Sequence, residues 1–338
     1  MLFSKPTLNR RNRSQFVGQT SALESRQLLA GNVTAAFSGV DLVITGDNSA
    51  NAVQVLYNGV DVLVRGLNGT KVNGSAADFL AVAASDTLPG DLAFNLGRGN
   101  DFARVSNFVK VTGDLQVAPG AGNDVTVIQD ATITGELGVG GFSLSPSNDD
   151  AGDDNVAIID TMAGSMSVLT GSGNDVVMLA TVVANDILVS LGTGDDVLQA
   201  QSTVEATDNL IVGAGAGNDF VIGGFKAGGF TMDLDAGNDL LFFGIDQTDA
   251  ARSAIINLGT GNDKAIAVSV SVVSLLSING SKGLDQFFLA PGYTATGGVL
   301  FQEVESNSPF DINKGVSASF IASGKRLGRF VDFVMTLP

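Results

Sequence analysis

Carboxylates at the ends of glycine-rich turns are the most chemically distinctive feature of this sequence. The string G-x-G-[ND]-D occupies residues 97–101, 120–124, 171–175, 192–196, 215–219 and 259–263, and a copy at 235–239 has aspartate for its first glycine. Calcium prefers carboxylate and backbone carbonyl oxygens, and both are exposed by such turns. A structural explanation competes, because glycine allows positive φ, asparagine tolerates the left-handed conformation and aspartate accepts hydrogen bonds from turn amides.

The last acidic residue of each turn recurs at a nearly constant spacing. Successive separations are 23, 23, 30, 21, 21, 23, 20, 24 and 22 residues, with a mean of about 22 when the 30 is set aside. A fixed period of this length indicates stacked repeats. The members of the series are Asp78, Asp101, Asp124, Asp154, Asp175, Asp196, Asp219, Asp239, Asp263 and Asp285.

A second position in the repeat opens a short apolar strand 10 to 13 residues after most of these aspartates, as at Asp91-Leu92, Asp114-Leu115 and Asp186-Ile187. Each coil is therefore predicted to contain two principal strands and two turns. About 22 residues leave no room for a crossover helix between parallel strands. The sequence predicts an all-β protein, a parallel β-solenoid of ten to twelve coils, roughly 50 to 60 Å long at about 4.8 Å per coil.

Stacked coils would place equivalent aspartates about 5 Å apart, where like charges repel by about 1 kcal/mol in water and more when desolvated. The turns resemble the calcium-binding nonapeptide G-G-x-G-x-D-x-U-x of RTX proteins, which are secreted bacterial toxins, proteases and surface proteins. That resemblance implies bound calcium (Ca2+) at a few turns. The predicted metal ligands are Gly171, Gly173, Asp175, Gly192, Gly194, Asp196, Asp219, Asp239 and Asp263.

Composition excludes several kinds of chemistry. The chain has no cysteine and no histidine, which removes thiol redox chemistry, the usual zinc sites and imidazole catalysis. The formal net charge is -17, and an acidic body repels nucleic acid and attracts divalent cations. No apolar run reaches the roughly 18 residues of a membrane span.

The chain divides into four predicted regions. Residues 1–30 form a basic leader, 31–72 an N-terminal β cap with the first coils, 73–290 the solenoid repeats and 291–338 a C-terminal cap. The first strands form either a hairpin or an irregular opening coil. Leu23 to Ala30 resembles the LEPR-xLL motif of bacterial exported proteins, with Ser25 in place of the proline, and this implies targeting or processing. Residues 146–154 form an acidic insertion, read as a solvated loop or as an extra calcium site.

These observations favour an exported bacterial protein, secreted or at the cell surface, with a structural or adhesive role and no catalytic residues. Its expected partners are calcium and a cell-surface or matrix polysaccharide or protein. The alternative is a polysaccharide lyase or glycosidase on a right-handed β-helix. Its candidate residues are Asp149, Asp150 and Asp153, or Arg104 near Asp101.

Overall fold

The computed structural model describes residues 31–140, 151–249, 252–290 and 293–304. Over these ranges the protein is all-β without a helix, and it forms a parallel β-solenoid of about 9 turns with about 23 residues per coil. The predicted fold class and period are confirmed. At about 4.8 Å per coil, nine coils stack to about 43 Å. The described residues contain fewer coils than the ten to twelve predicted for the chain, and Asp78 belongs to the N-terminal cap and not to the repeat, as described below.

The strands are short and closely spaced. From the N-terminus they are β1 Asn32–Ser38, β2 Asp41–Thr45, β3 Ala52–Tyr57, β4 Val62–Gly66, β5 Lys71–Val72, β6 Phe79–Val82, β7 Thr87–Leu88, β8 Leu92–Asn95, β9 Phe102–Ser106, β10 Lys110–Val111, β11 Leu115–Ala118, β12 Val125–Gln129, β13 Thr132–Ile133, β14 Glu136–Gly140 and β15 Asn155–Met162. The remainder are β16 Ser165–Leu169, β17 Val176–Ala184, β18 Ile187–Ser190, β19 Val197–Gly213, β20 Phe220–Asp233, β21 Leu240–Gln247, β22 Ala254–Asn257, β23 Thr260–Gly261, β24 Lys264–Val272, β25 Leu276–Asn279, β26 Lys282–Gly283, β27 Gln286–Leu289, β28 Thr294–Ala295 and β29 Val299–Gln302.

Each early coil contains three strands where the sequence predicted two. The first strand (β8, β11 or β14) begins at the second position of the repeat, as after Asp91 and Asp114. The second (β9, β12 or β15) follows the glycine turn, and the third is the two-residue β7, β10 or β13. From β15 to β24 the second and third strands are continuous, and in β15 and β17 a residue with positive φ, Asp160 or Thr181, lies where the chain bends. Two residues are too few to produce an alternating pattern, so the sequence did not reveal this third side.

Parallel pairing keeps like residues in register from coil to coil. Leu115 pairs with Leu92 and with Leu137, and Val117 pairs with Phe94. These inward side chains are essentially fully buried and belong to one continuous apolar cluster that runs through the stack. The interior is therefore made of stacked columns of branched aliphatic side chains with occasional phenylalanines.

The N-terminal end is closed by antiparallel strands. β2 and β3 form the first coil, in parallel register with β8 and β9. β1 then pairs antiparallel with β2, and β4 pairs antiparallel with β3, so the edge of the first coil is covered. Of the two predicted openings, the structure contains the hairpins. Asp78 lies in this region, where it forms an ion pair with Arg65 at 2.8 Å.

A second, smaller apolar cluster lies on the outward face of the strands that follow the glycine turns. Val127, Ala157, Val176 and Val197 are each at most 2% exposed although they point away from the solenoid interior. Strands such as β12 and β17 are thus apolar on both faces, which explains their continuous rather than alternating hydrophobicity.

Two columns of glycine form the turns that begin most coils. Gly194 has φ of 141° and Gly192 has φ of 103°, in the region that favours glycine. A Cβ on Gly194 would overlap the carbonyl oxygen of Gly173 in the preceding coil, and one on Gly192 would overlap that of Gly171. The first and third motif positions are therefore glycine both for backbone conformation and for the close approach of neighbouring coils.

Replacing Gly194 with alanine is expected to lower the free energy of unfolding by roughly 2–4 kcal/mol, because positive φ and overlap with the Gly173 backbone both act against it. Urea unfolding followed by circular dichroism measures this change. Gly213→Ala is the matched control, since a Cβ there meets nothing within 4 Å, and it should change stability by less than about 0.5 kcal/mol. Equal effects of the two substitutions would contradict the role of the glycine columns.

Candidate functional site

The aspartates that end the glycine turns form a buried row along one corner of the solenoid, here called the aspartate ladder. None of its members is more than 3% exposed. They share the inward parity of the strand that follows, since Asp101, Ala103 and Val105 all point inside. The alternation of inward and outward residues is visible in the sequence, and counting back from the strand predicts that the aspartate carboxyl points inward. The motif alone did not indicate this. The ladder consists of Asp101, Asp124, Asp154, Asp175, Asp196, Asp219, Asp239, Asp263 and Asp285.

Each rung of the aspartate ladder binds the backbone of the preceding coil. The amide of Asp175 donates to Oδ1 of Asp196 at 2.7 Å, and the amide of Asp196 donates to Oδ1 of Asp219 at 2.8 Å. The same bond joins every neighbouring pair of rungs from Asp101 to Asp285 at 2.7 to 3.0 Å. Asn51 extends the row at the N-terminal end, where its amide donates to Asp101 at 2.6 Å.

Burial raises the pKa of five of the ladder carboxyls. The pKa rises to about 6 for Asp101, about 8 for Asp124, about 7 for Asp175, about 9 for Asp239 and about 7 for Asp263. Desolvation is the main cause and disfavours the charged form. Bonds from backbone amides oppose it, and the charges of neighbouring rungs add to it at Asp124 and Asp239. These carboxyls therefore take up protons more readily than exposed aspartates do.

The residue before each ladder aspartate forms a second row, here called the outer ladder, which is mostly exposed. Its side chains bind in the opposite direction: Oδ1 of Asn174 accepts the amide of Asp195 in the following coil at 2.9 Å, and Oδ1 of Asp195 accepts that of Asn218 at 2.8 Å. None of its asparagines has positive φ, which occurs at the glycines instead. The expectation that asparagine supplies a left-handed residue is therefore wrong. The row is Asn100, Asn123, Asp153, Asn174, Asp195, Asn218, Asn238 and Asn262.

The predicted calcium ligands are brought together as a continuous column, and their oxygens take part in bonds between coils. The carbonyl of Gly171 accepts the amide of Thr193 at 3.0 Å. Asp219, Asp239 and Asp263 are consecutive rungs joined at 2.8 Å. Over the described residues, no three acidic side chains converge in an arrangement that could hold a metal ion. Any calcium at the turns would share the carboxylates with the amides they already accept.

A similar carboxylate row caps the opposite turn of the early coils. Oδ1 of Asp41 accepts the amide of Asp91 at 3.0 Å, Oδ1 of Asp91 accepts that of Asp114 at 2.8 Å, and Oδ1 of Asp114 accepts that of Glu136 at 2.8 Å. The sequence pattern predicts only that a strand begins at this second position of the repeat. Its acidic residues have the same capping function as the aspartate ladder.

The residues of the enzymatic alternative do not form a pair in the described ranges. Arg104 points outward, is 4% exposed and donates to Gln129, whereas Asp101 points inward. Asp153 is exposed and accepts the amide of Asn174 at 2.8 Å. Asp149 and Asp150, with most of the acidic insertion, lie outside the described residues, as do the leader and residues 305–338 of the predicted C-terminal cap.

A polar groove of about 550 Å3 crosses β19, β20, β21 and β24. Hydroxyl and charged side chains line it, and Lys226 forms an ion pair with Glu205 at 2.7 Å beside it. Gly224 and Gly244 lie in adjacent strands and leave its middle open. The polar lining side chains are Ser202, Thr203, Lys226, Asp246, Ser269 and Ser271.

The fold and the two ladders define a parallel β-solenoid repeat protein. No protein-family model, curated protein or solved structure matches this chain. In the part of the chain that the structure covers, no helix is long and apolar enough to cross a membrane.

The aspartate ladder predicts a stability that falls with rising pH in the presence of a chelator. The pKa of Asp239 in the folded protein, about 9, lies above its ordinary value of 3.8. The contribution of the neutral carboxyl to stability is complete below pH 3.8 and is lost as the pH rises through the folded pKa. For each carboxyl the loss begins near pH 3.8 and ends at the folded pKa, which is about 6 for Asp101 and about 9 for Asp239, with a slope of up to about 1.4 kcal/mol per pH unit.

Asp239→Asn isolates one rung of this effect. The amide oxygen still accepts the Asp219 N–H, so the slope of unfolding free energy against pH should decrease while the coil stays intact. Asp246→Asn, at an exposed position of β21, is the control and should leave the slope unchanged. Urea unfolding at pH 5, 7 and 9 measures it, and a pH-independent wild type would contradict the prediction.

Proposed function

We propose that this protein is a non-enzymatic structural and adhesive β-solenoid, exported from a bacterial cell and stabilised by calcium at its glycine turns. The observation that carries the proposal is the pair of oppositely directed side-chain ladders, which join each coil to both of its neighbours. The motif residues of the body are used in this way coil after coil. Such uniform use of a motif suits a stiff spacer, since catalytic sites break a repeat at one place.

Local carboxylate density supports the calcium part of the proposal. The turns ending at Asp154, Asp175 and Asp196 contain these three ladder carboxyls and the outer-ladder carboxyls Asp153 and Asp195 within three successive coils. Each buried carboxyl accepts an amide through Oδ1, and a carboxylate oxygen can bind a cation in addition. A cation would also offset the repulsion that rises among the rungs as the pH increases.

Calcium is expected to raise the thermal midpoint at pH 8, relative to chelator, because a ligand that binds the native state stabilises it by about 2.7 kcal/mol at a hundred times its Kd. Magnesium, which retains its waters, should have a smaller effect. The double variant Asp175→Asn with Asp196→Asn keeps both amide acceptors and should show a smaller calcium shift, whereas Asp246→Asn should match the wild type. Identical midpoints in calcium and in chelator would refute calcium stabilisation.

The polar groove supports the adhesive part of the proposal. Its exposed serines and the Lys226–Glu205 pair offer the donors and acceptors that a polyhydroxylated partner requires. The acidic body repels polyanions. A neutral polysaccharide is therefore the favoured partner, and a protein surface is the other outcome of the test.

Ser269→Trp should block the groove, because Ser269 is exposed on β24 and lines it. Co-sedimentation with insoluble neutral polysaccharides should show binding by the wild type and at least a tenfold loss in this variant. Ser38→Trp, exposed on β1, is the control and should bind normally. Equal binding by both variants would contradict the groove as the contact, and release of reducing or unsaturated sugar would favour the enzymatic alternative.

A further inference from the structure

The sheet at the N-terminal end of the solenoid ends in strand β6, which has an open edge. This strand, Phe79–Val82, pairs antiparallel with β4 and shares a register with no other described strand. An unpaired edge presents a row of backbone N–H and C=O groups to which another strand can bond. The N-terminal end of the described structure therefore has a place for one more strand.

The other outer strand at this end, β1, is covered as far as Ala35. Strand β5 pairs with the start of β1 in parallel register. Beyond it, the side chain of Asn73 bonds to both backbone groups of Ala35, since Nδ2 donates to the carbonyl at 2.9 Å and Oδ1 accepts the amide at 3.0 Å. The asparagine amide thus acts as a neighbouring strand residue would. Of the two outer strands, β6 has the edge without such cover.

Charged residues usually protect an edge strand from pairing with other chains. The carboxylates nearest to β6 are compensated, because Asp78 forms an ion pair with Arg65 at 2.8 Å and Asp86 forms one with Lys110 at 2.7 Å. Residues 79–85, which lie between them, carry no charge. The repulsion expected between two acidic chains is therefore weak at this edge.

The side chains of β6 leave apolar surface at the end of the core. Phe79, Ala81 and Val82 pack against the interior cluster but are only partly buried. Leu80 points to the outside and is 52% exposed. A strand added to this edge would cover part of that surface, so apolar burial would add to the backbone hydrogen bonds.

The pattern of β6 is complementary to itself. Directly opposite residues of an antiparallel pair project from the same face of the sheet. When Leu80 lies opposite its counterpart in a second copy, both leucines stay outside and Phe79 lies opposite Ala81 on the core side. A shift by one residue would turn Leu80 towards the core side. The favoured register is thus symmetric about a two-fold axis, the commonest symmetry of homodimers.

We propose that two copies of this chain associate end to end through antiparallel pairing of their β6 strands. The interface is small, and its Kd is expected in roughly the micromolar range. Such a dimer joins two solenoids into one rod with twice the number of coils. The proposal does not depend on calcium at the glycine turns or on the polar groove.

Sedimentation equilibrium of the full chain, in chelator and over a series of concentrations, tests the association. The wild type should fit a monomer–dimer equilibrium. Leu80→Lys should raise the Kd of the dimer at least about tenfold, because it places two like charges opposite each other. Leu188→Lys is the matched control, since Leu188 is 39% exposed on β18 in the middle of the solenoid, and it should leave the Kd unchanged.

Disulfide trapping tests the register. The chain has no cysteine, so Leu80→Cys introduces a single thiol. Opposite Cα atoms of an antiparallel pair are about 4.5–5.5 Å apart, within the range of a disulfide. Mild oxidation should therefore give a covalent dimer of Leu80→Cys but not of the control Leu188→Cys.

Three results would overturn the β6 interface. These are a wild type that stays monomeric at every concentration, an equal Kd for Leu80→Lys and Leu188→Lys, and equal cross-linking of the two cysteine variants. Assemblies larger than a dimer would contradict the closed two-fold symmetry. If Leu80→Lys fails to fold by circular dichroism, the wild-type equilibrium and the cysteine variants decide.

Discussion

The solenoid depends on one repeated interaction, the hydrogen bond from a buried aspartate amide to the carboxyl of the next aspartate along the stack. Glycine turns leave the backbone N–H groups at the corner without a strand partner, and a buried orphan donor is costly. The aspartate ladder satisfies these donors in a dry corner, where Asp175 donates to Asp196 at 2.7 Å. It also concentrates carboxyls whose pKa is raised by burial, so the feature that closes the corner makes the stability of the protein depend on pH.

Opposite directions of the two ladders give the stack its continuity. A turn such as 192–196 accepts a bond from the coil before it through Asp196 and one from the coil after it through Asp195. Glycine at positions 192 and 194 permits the approach that these bonds require. Four of the five motif residues therefore have structural roles, and the proposed calcium would add to an arrangement that is already bonded.

A departure from a repeat can create a feature that the repeat does not predict. The polar groove on the outside of the solenoid arises because Gly224 and Gly244 remove side chains from neighbouring strands. The groove therefore depends on two residues outside the glycine-turn motif.

The sequence by itself determined the period, the parallel solenoid and the positions of the glycines and carboxyls, because a motif recurring every twenty-odd residues admits few other folds. It also contained the inward parity of the aspartates. Only the tertiary structure decided that the side chains of the two ladders bind opposite neighbouring coils, that a two-residue strand forms a third side, and that antiparallel β1 and β4 close the first coil. The first two features arise from bonds between residues about one coil apart, and no local pattern specifies which neighbouring coil a side chain will reach.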